Sequence, residues 1–289
     1  MSRFGVLWRA AALVLAFLVL APPHWVALRV FGRRSTVAPI LFHRTFLWLF
    51  SIRVMQSGTP PDFGEAALVL ANHVSWLDIV VIGSLRPLSF VAKSEIAGWP
   101  VISALAALQR TIYIDRQRRG ATATVSTAMG HRLAGGELVV LFAEGTTGDG
   151  NRLLPFRSAL VGAARAALQA EAGQGCVRLQ PLAIAYPRRN GLPVVRSERS
   201  EIAWYGDMEL APHLTAFVNG GPIDVQVVWG KPIVFEASTD RKVATAAAEA
   251  EVRAALQGLA TGRGAAPPAA GTRSASPGVD LGGSGIATV

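Results

Sequence analysis

"LVLANHVSWLDIVVIG", residues 68–83, sets one imidazole and one carboxylate, His73 and Asp78, among apolar side chains. A carboxylate removed from water is heavily penalised unless something pairs with it, and His73 is the nearest candidate. The apolar run 66–71 reads as a buried strand that delivers Asn72 and His73 to its C-terminal end, the edge where ligands sit in open α/β sheets. Residues 76–84 can wind into a helix, so the five-residue step lets Asp78 fold back toward the ring. A carboxylate accepting the Nδ1 proton fixes the tautomer and leaves Nε2 as a general base. Such a pair is more often a structural hydrogen bond than a catalytic one, so the decision rests on the rest of the chain.

The alternation continues outward. Short apolar runs at 88–92, 111–114, 137–142, 179–185 and 223–228 read as strands, and 96–108, 118–134 and 158–169 read as helices. The pattern predicts an α/β fold: a mixed, largely parallel sheet flanked by helices, preceded by an N-terminal membrane-anchoring helical segment. At 289 residues and 51% hydrophobic content the chain has ample material for one large core. A single cysteine, Cys176, allows no intramolecular disulfide and no Cys-rich zinc site, and the histidines lack ligand spacing, so no metal is expected.

The formal charge of +9 is unevenly placed. Before Asp62 there are seven arginines and no acidic residue, interleaved with Trp8, Trp25 and Trp48 and with long apolar runs. Nucleic acid would suit a basic arm, but one this apolar fits an anionic membrane surface. The uncharged stretch 10–23 falls short of the roughly 20 residues of a simple span, and counting on to Val30 reaches that length. A span, a hairpin broken at Pro22-Pro23 and an in-plane helix all remain open. Val19-Leu20-Ala21 loosely resembles a leader cleavage site, which would make a secreted hydrolase; Pro22 and the apolar character of 39–54 argue against it. The expected organisation is therefore an anchor over 1–57, a catalytic domain over 58–260 ending in a helix at 240–259, and a disordered Gly/Ala/Pro/Ser tail over 261–289.

Two further stretches carry polar groups at predicted strand ends. "RTIYIDRQRRG", residues 110–120, ends a strand with Asp115 and Arg116, where a guanidinium is well placed to grip a phosphate or carboxylate. "VVLFAEGTTGDGNRLLPFRSAL", residues 139–160, runs a strand into Glu144, Gly145 and Thr146, with Arg152 and Arg157 beyond. It is neither a Walker loop nor a calcium loop. A Glu and two arginines on one loop suit a polar head group.

Asn72-His73-x-Ser75-x-x-Asp78, then Tyr113-Ile114-Asp115-Arg116, then Phe142-Ala143-Glu144-Gly145-Thr146, then Pro181, resemble the four ordered blocks of the glycerolipid acyltransferases. The resemblance spans about residues 60–235 and implies a membrane-bound O-acyltransferase. It implies that His73 is the base and Asp78 its orienting partner, with no acyl-enzyme; a thioester is activated enough for direct attack, and no Gly-x-Ser-x-Gly elbow occurs. Lys93 and Arg116 would position the acceptor's anionic group, while Glu144, Gly145 and Thr146, with Arg152 and Arg157, would bind its head group. The implied donor is acyl carrier protein or coenzyme A, with no other cofactor and no nucleic acid, at the cytoplasmic side of the inner membrane. The implied acceptor is a lysolipid such as 1-acylglycerol-3-phosphate in phospholipid biosynthesis.

One departure matters: the third block of the family continues with Arg, whereas Thr147 stands here. Residues 145–160 and "WYGDM" at 204–208 look similar to the lyso-ornithine lipid acyltransferase branch, whose acceptor bears amino-acid groups in place of a phosphate monoester. Both acceptors stay open at this point. The reading of another class is a membrane lipid-binding protein without turnover, against which the intact His73, Asp78 and Glu144 speak.

Overall fold

The computed structural model describes residues 3–31, 37–114, 121–159, 161–162, 165 and 176–262. Two helices come first, α1 (Arg3–Phe31) and α2 (Val37–Leu49), followed by β1 (Ile52–Gly58). Then come β2 (Ala67–Ala71), α3 (Leu77–Gly83), β3 (Ser89–Lys93), α4 (Pro100–Leu108), β4 (Ile112–Ile114), α5 (Ala121–Ala134) and β5 (Leu138–Phe142). The chain resumes with β6 (Cys176–Arg189), β7 (Leu192–Pro193), α6 (Leu210–Asn219), β8 (Ile223–Trp229), β9 (Ile233–Glu236) and α7 (Arg241–Ala260).

The strands form one mixed sheet in the order β1-β8-β6-β2-β5-β3-β4, with β7 and β9 also pairing β6. β2 lies at its centre, parallel to both β5 and β6, and all five of its residues are buried. Such a strand is apolar on both faces because helices cover both. Alternate residues point to opposite sides: Leu68, Leu70, Val139, Leu141 and Leu179 pack toward α5 and α7. Val69, Ala71, Val140, Phe142 and Ile184 pack with α2, α3 and α6. Parallel β2 and β5 end on one edge, so Asn72 and Ala143 emerge side by side at the level of Ala183, while β6 runs on beyond them to Arg189.

α1 runs unbroken through Pro22 and Pro23, so the hairpin reading does not hold. Its segment Gly5–Val30 is long and apolar enough to cross a membrane, with mean hydropathy 2.0 and little of it covered. Phe17 packs edge-on against Phe42 of α2, and the His24 ring meets the Leu108 carbonyl at the end of α4, 3.0 Å away. Leu15, Leu18 and Val19 remain exposed.

The expected boundary of the anchor at residue 57 is corrected by β1. This strand pairs in parallel with β8 from Ile52 to Gly58, so the sheet begins inside the segment assigned to the membrane. Its alternating pattern is masked by the apolar run before it, which reads as one continuous hydrophobic block. The predicted helix over 96–108 splits into a 3₁₀ turn, Ser94–Gly98, and α4, because Pro100 fits a first helical turn and not an interior. α6, β7 and β9 were not expected, and β6 is twice as long as its apolar centre suggests. Most of the predicted helix over 158–169, and the tail beyond 262, lie outside the described residues.

Candidate active site

Asp78 sits in the first turn of α3 with no exposed surface, and its Oδ2 is the hub of the site. It accepts the backbone N–H groups of Val74 (2.7 Å) and Ser75 (2.9 Å) and lies 2.8 Å from Nδ1 of His73. The bond to the amide three residues upstream is half of a capping box, and it is why Ser75-x-x-Asp78 winds the chain back on itself. The His73 ring is about one-sixth exposed and stacks on Phe142, centroids 3.8 Å apart and 11° from parallel. With Nδ1 committed to Asp78, Nε2 is the nitrogen left to accept a proton.

Three neighbours lock this loop. Asn72 bridges β2 to β6 where the strands part: its Nδ2 donates to the Ile184 carbonyl (3.0 Å) and its Oδ1 accepts the Ile184 amide (2.8 Å). Glu144, 3% exposed, accepts the His73 amide at Oε1 (2.7 Å) and the Leu154 amide at Oε2 (2.9 Å), tying the His73 loop to the loop after β5. The His73 carbonyl in turn accepts the Gly148 amide at 2.8 Å.

Tyr186 is the residue that sequence reasoning missed. Its hydroxyl donates to Oδ1 of Asp78, the oxygen that the loop leaves open. Burial, and then the charge of Asp78, push its pKa well above the usual 10, so it stays a donor. A tyrosine at the C-terminal edge of a strand parallel to β2 was the available signal. Tyr186→Phe removes one donor from a buried carboxylate, and we expect kcat to fall about tenfold with both KM values unchanged, since bonds to charged groups are worth roughly 1.5–3 kcal/mol. Steady-state kinetics on both substrates check this; a change in KM alone would reassign Tyr186 to substrate contact.

Burial raises the Glu144 pKa from 4.5 to about 7 against its two amide donors. The folded state therefore binds more protons than the unfolded chain between those values. The associated stability is present below about pH 4.5 and lost as pH rises through 7, by roughly 3 kcal/mol. Thermal melts from pH 4.5 to 8 should show this slope, and Glu144→Gln should flatten it.

The remaining expected site residues fall unevenly. Gly145 adopts φ +75° and its Cα faces the Arg157 side chain, where a Cβ would come within 2.9 Å of Cδ. Arg157 donates from Nε to the Glu144 carbonyl (3.2 Å), so it loops back onto the Glu-Gly-Thr turn. Thr146 is exposed, and Arg152 lines the cleft beside His73. Lys93 closes β3, two strands from β2, and is exposed outside that cleft. Arg116 lies outside the described residues. His213 is not a partner of the pair; its Nδ1 accepts from Trp76 Nε1 at 3.1 Å.

A family model described as "Acyltransferase" matches residues 51–185. The lyso-ornithine lipid O-acyltransferase of Brucella abortus (strain 2308) is 44% identical over 253 residues, 88% of this chain and 94% of its own length. The chain belongs to the acyltransferase family. It is thus an enzyme that transfers acyl groups, and its N-terminal helix fits the membrane association of such enzymes. A second acyltransferase relative, the lyso-ornithine lipid O-acyltransferase of Rhizobium meliloti (strain 1021), is 38% identical over 87% of this chain and 85% of its own length. The 1-acyl-sn-glycerol-3-phosphate acyltransferase of Neisseria gonorrhoeae is 39% identical over a shorter stretch, 37% of this chain and 42% of that one. The fold of this acyltransferase is shared with the crystal structure of the 1-acyl-sn-glycerophosphate (LPA) acyltransferase PlsC from Thermotoga maritima, at TM-score 0.56 and 19% identity over 87% of this chain and 98% of that one.

Proposed function

We propose that this acyltransferase moves a fatty acyl group from an acyl thioester, on acyl carrier protein or coenzyme A, to the free hydroxyl of lyso-ornithine lipid. The observation that carries the chemistry is the 2.8 Å contact between His73 Nδ1 and a fully buried Asp78. Nε2 takes the proton of the acceptor hydroxyl as its oxygen attacks the thioester carbonyl. The C–S bond then breaks, the ester is released, and the imidazolium returns its proton to the departing thiolate. Asp78 holds the ring and balances its transient charge. The apolar wall at Phe142 keeps water from competing with the lipid hydroxyl.

For the acceptor, two features point the same way. The relatives named for lyso-ornithine lipid align over 72–90% of the chain, whereas those named for the glycerophosphate align over 37–54% of it. Thr147 stands where the glycerolipid branch carries Arg, which removes a bidentate ligand for a phosphate monoester. Arg157, folded over Gly145, and Arg152 in the cleft supply guanidinium groups for a carboxylate. Seven arginines before Asp62 support an active site on the cytoplasmic side of the inner membrane.

The test is an acceptor panel with purified protein in detergent. Lyso-ornithine lipid should show kcat/KM at least tenfold above lysophosphatidate. The reverse order would make the glycerophosphate the acceptor, and tight lysolipid binding with no product from any acceptor would identify a lipid-binding protein instead.

A further inference from the structure

The cleft at His73, about 1090 Å³, does not stop at the catalytic edge; it continues over the α7 face of β6, β8 and β1. Cross-strand register defines its floor. Ala185, Gln226 and Met55 form one row, and Arg188, Asp224 and Arg53 form the next. Residues directly opposite one another share a face, and the intervening Ile223 and Val225 belong to the other core, so both rows face the groove.

The groove is basic at its far end. Asp224, 8% exposed, accepts from Arg53 at Nε (3.0 Å) and Nη2 (2.9 Å) and so aims a guanidinium that is largely in solvent. Among the described residues none accepts a hydrogen bond from Arg188 on the other side of Asp224. Two guanidinium groups flanking one carboxylate leave a net positive site. Arg199, held on the Gly150 carbonyl at 2.6 Å, adds to it from the rim.

This site stands at a distance from the chemistry. Asp224 of β8, between the two arginines, is two strand spacings from β2, about 10 Å at 4.8 Å each, and three residues along the strand from the level of His73, about another 10 Å, so roughly 14 Å in all. A lysolipid acceptor bears its charged groups within a few bonds of the reacting hydroxyl, so they belong beside His73. An anion bound so far away belongs to a ligand whose phosphate is separated from its reactive carbon by a long arm. Phosphopantetheine, with two amides in series, has about the reach of a four-residue extended peptide, roughly 14 Å. From the acyl-transfer reading above, we infer that this groove holds the phosphopantetheine arm of the donor, its thioester at His73 and its phosphate between Arg53 and Arg188. The polar floor at Gln226 faces the amides of the arm.

The arm is common to acyl-coenzyme A and acyl carrier protein, and the experiment separates these sources. Full-length Arg188→Glu and Arg53→Gln are assayed in detergent with both donors and with an S-acyl-N-acetylcysteamine, which keeps the thioester and lacks the phosphate. Donor KM should rise tenfold or more for both phosphate-bearing donors, with kcat and lysolipid KM within twofold. On the truncated thioester each variant should match the parent. Equal loss on the truncated thioester, or a rise in lysolipid KM instead, overturns the assignment. Loss confined to the carrier protein also overturns it, because the arginines would then be reading the surface of that protein. Arg188→Glu breaks no ion pair within the described residues, so it stays informative if Arg53→Gln, which strands Asp224, fails to fold. The parent's turnover on the acceptor panel tests acyl transfer itself, so failure of the groove leaves that reading in place.

Discussion

Replacing His73 with alanine is expected to lower kcat by about 10³-fold or more, the contribution of a positioned general base. The ring is the acceptor at this edge whose other nitrogen is already fixed on a carboxylate, 2.8 Å from Asp78. Its backbone would stay in place, because the His73 amide is held by Glu144 and the His73 carbonyl by the Gly148 amide. The ring covers Phe142, so some loss of melting temperature is expected from the exposed aromatic face. Binding of lysolipid to the inactive variant should persist. Retention of more than a hundredth of parental turnover would remove His73 from the role of base.

Asp78→Asn carries the second large effect. One side-chain oxygen now has to do the work of two. The carboxylate accepts Val74, Ser75 and His73 on Oδ2 and Tyr186 on Oδ1. An amide turned to keep the loop bonds points its NH₂ at the Tyr186 hydroxyl. Turned the other way, it faces two backbone donors and the ring with a donor, and the ring flips tautomer. Loss of the tautomer lowers kcat on the order of 10⁴-fold in the analogous serine-hydrolase change, and an unmatched buried donor costs about 1–3 kcal/mol of stability. Turnover and melting of the purified variant check both parts. A stable variant retaining a tenth of the activity would show that the carboxylate is only a cap for α3.

How far each of these was legible in the sequence follows from the range of the interaction. The pair His73 and Asp78 was readable because both ends lie within five residues, and the Ser75-x-x-Asp78 spacing is a local backbone rule. Glu144 and Gly145 were readable as a glycine turn after an apolar strand, though not that Glu144 grips the His73 amide 71 positions away. Tyr186 is 108 positions from Asp78 and lies one residue past the apolar run 179–185, where no local pattern marks it. β1 was hidden in the anchor because its partner, β8, is 171 positions downstream at Arg53 and Asp224.

By itself the sequence determined the alternation of strand and helix, the long apolar α1, and the local loop that winds Asp78 back toward His73. These depend on hydrophobic period, span length and short-range hydrogen bonds, which neighbouring residues specify among themselves. Only the tertiary structure decided that Tyr186 completes the shell of Asp78, and that Arg188, Asp224 and Arg53 line up as one row. Strand order and register make those neighbours, and both are set by how the whole sheet buries its two faces at once.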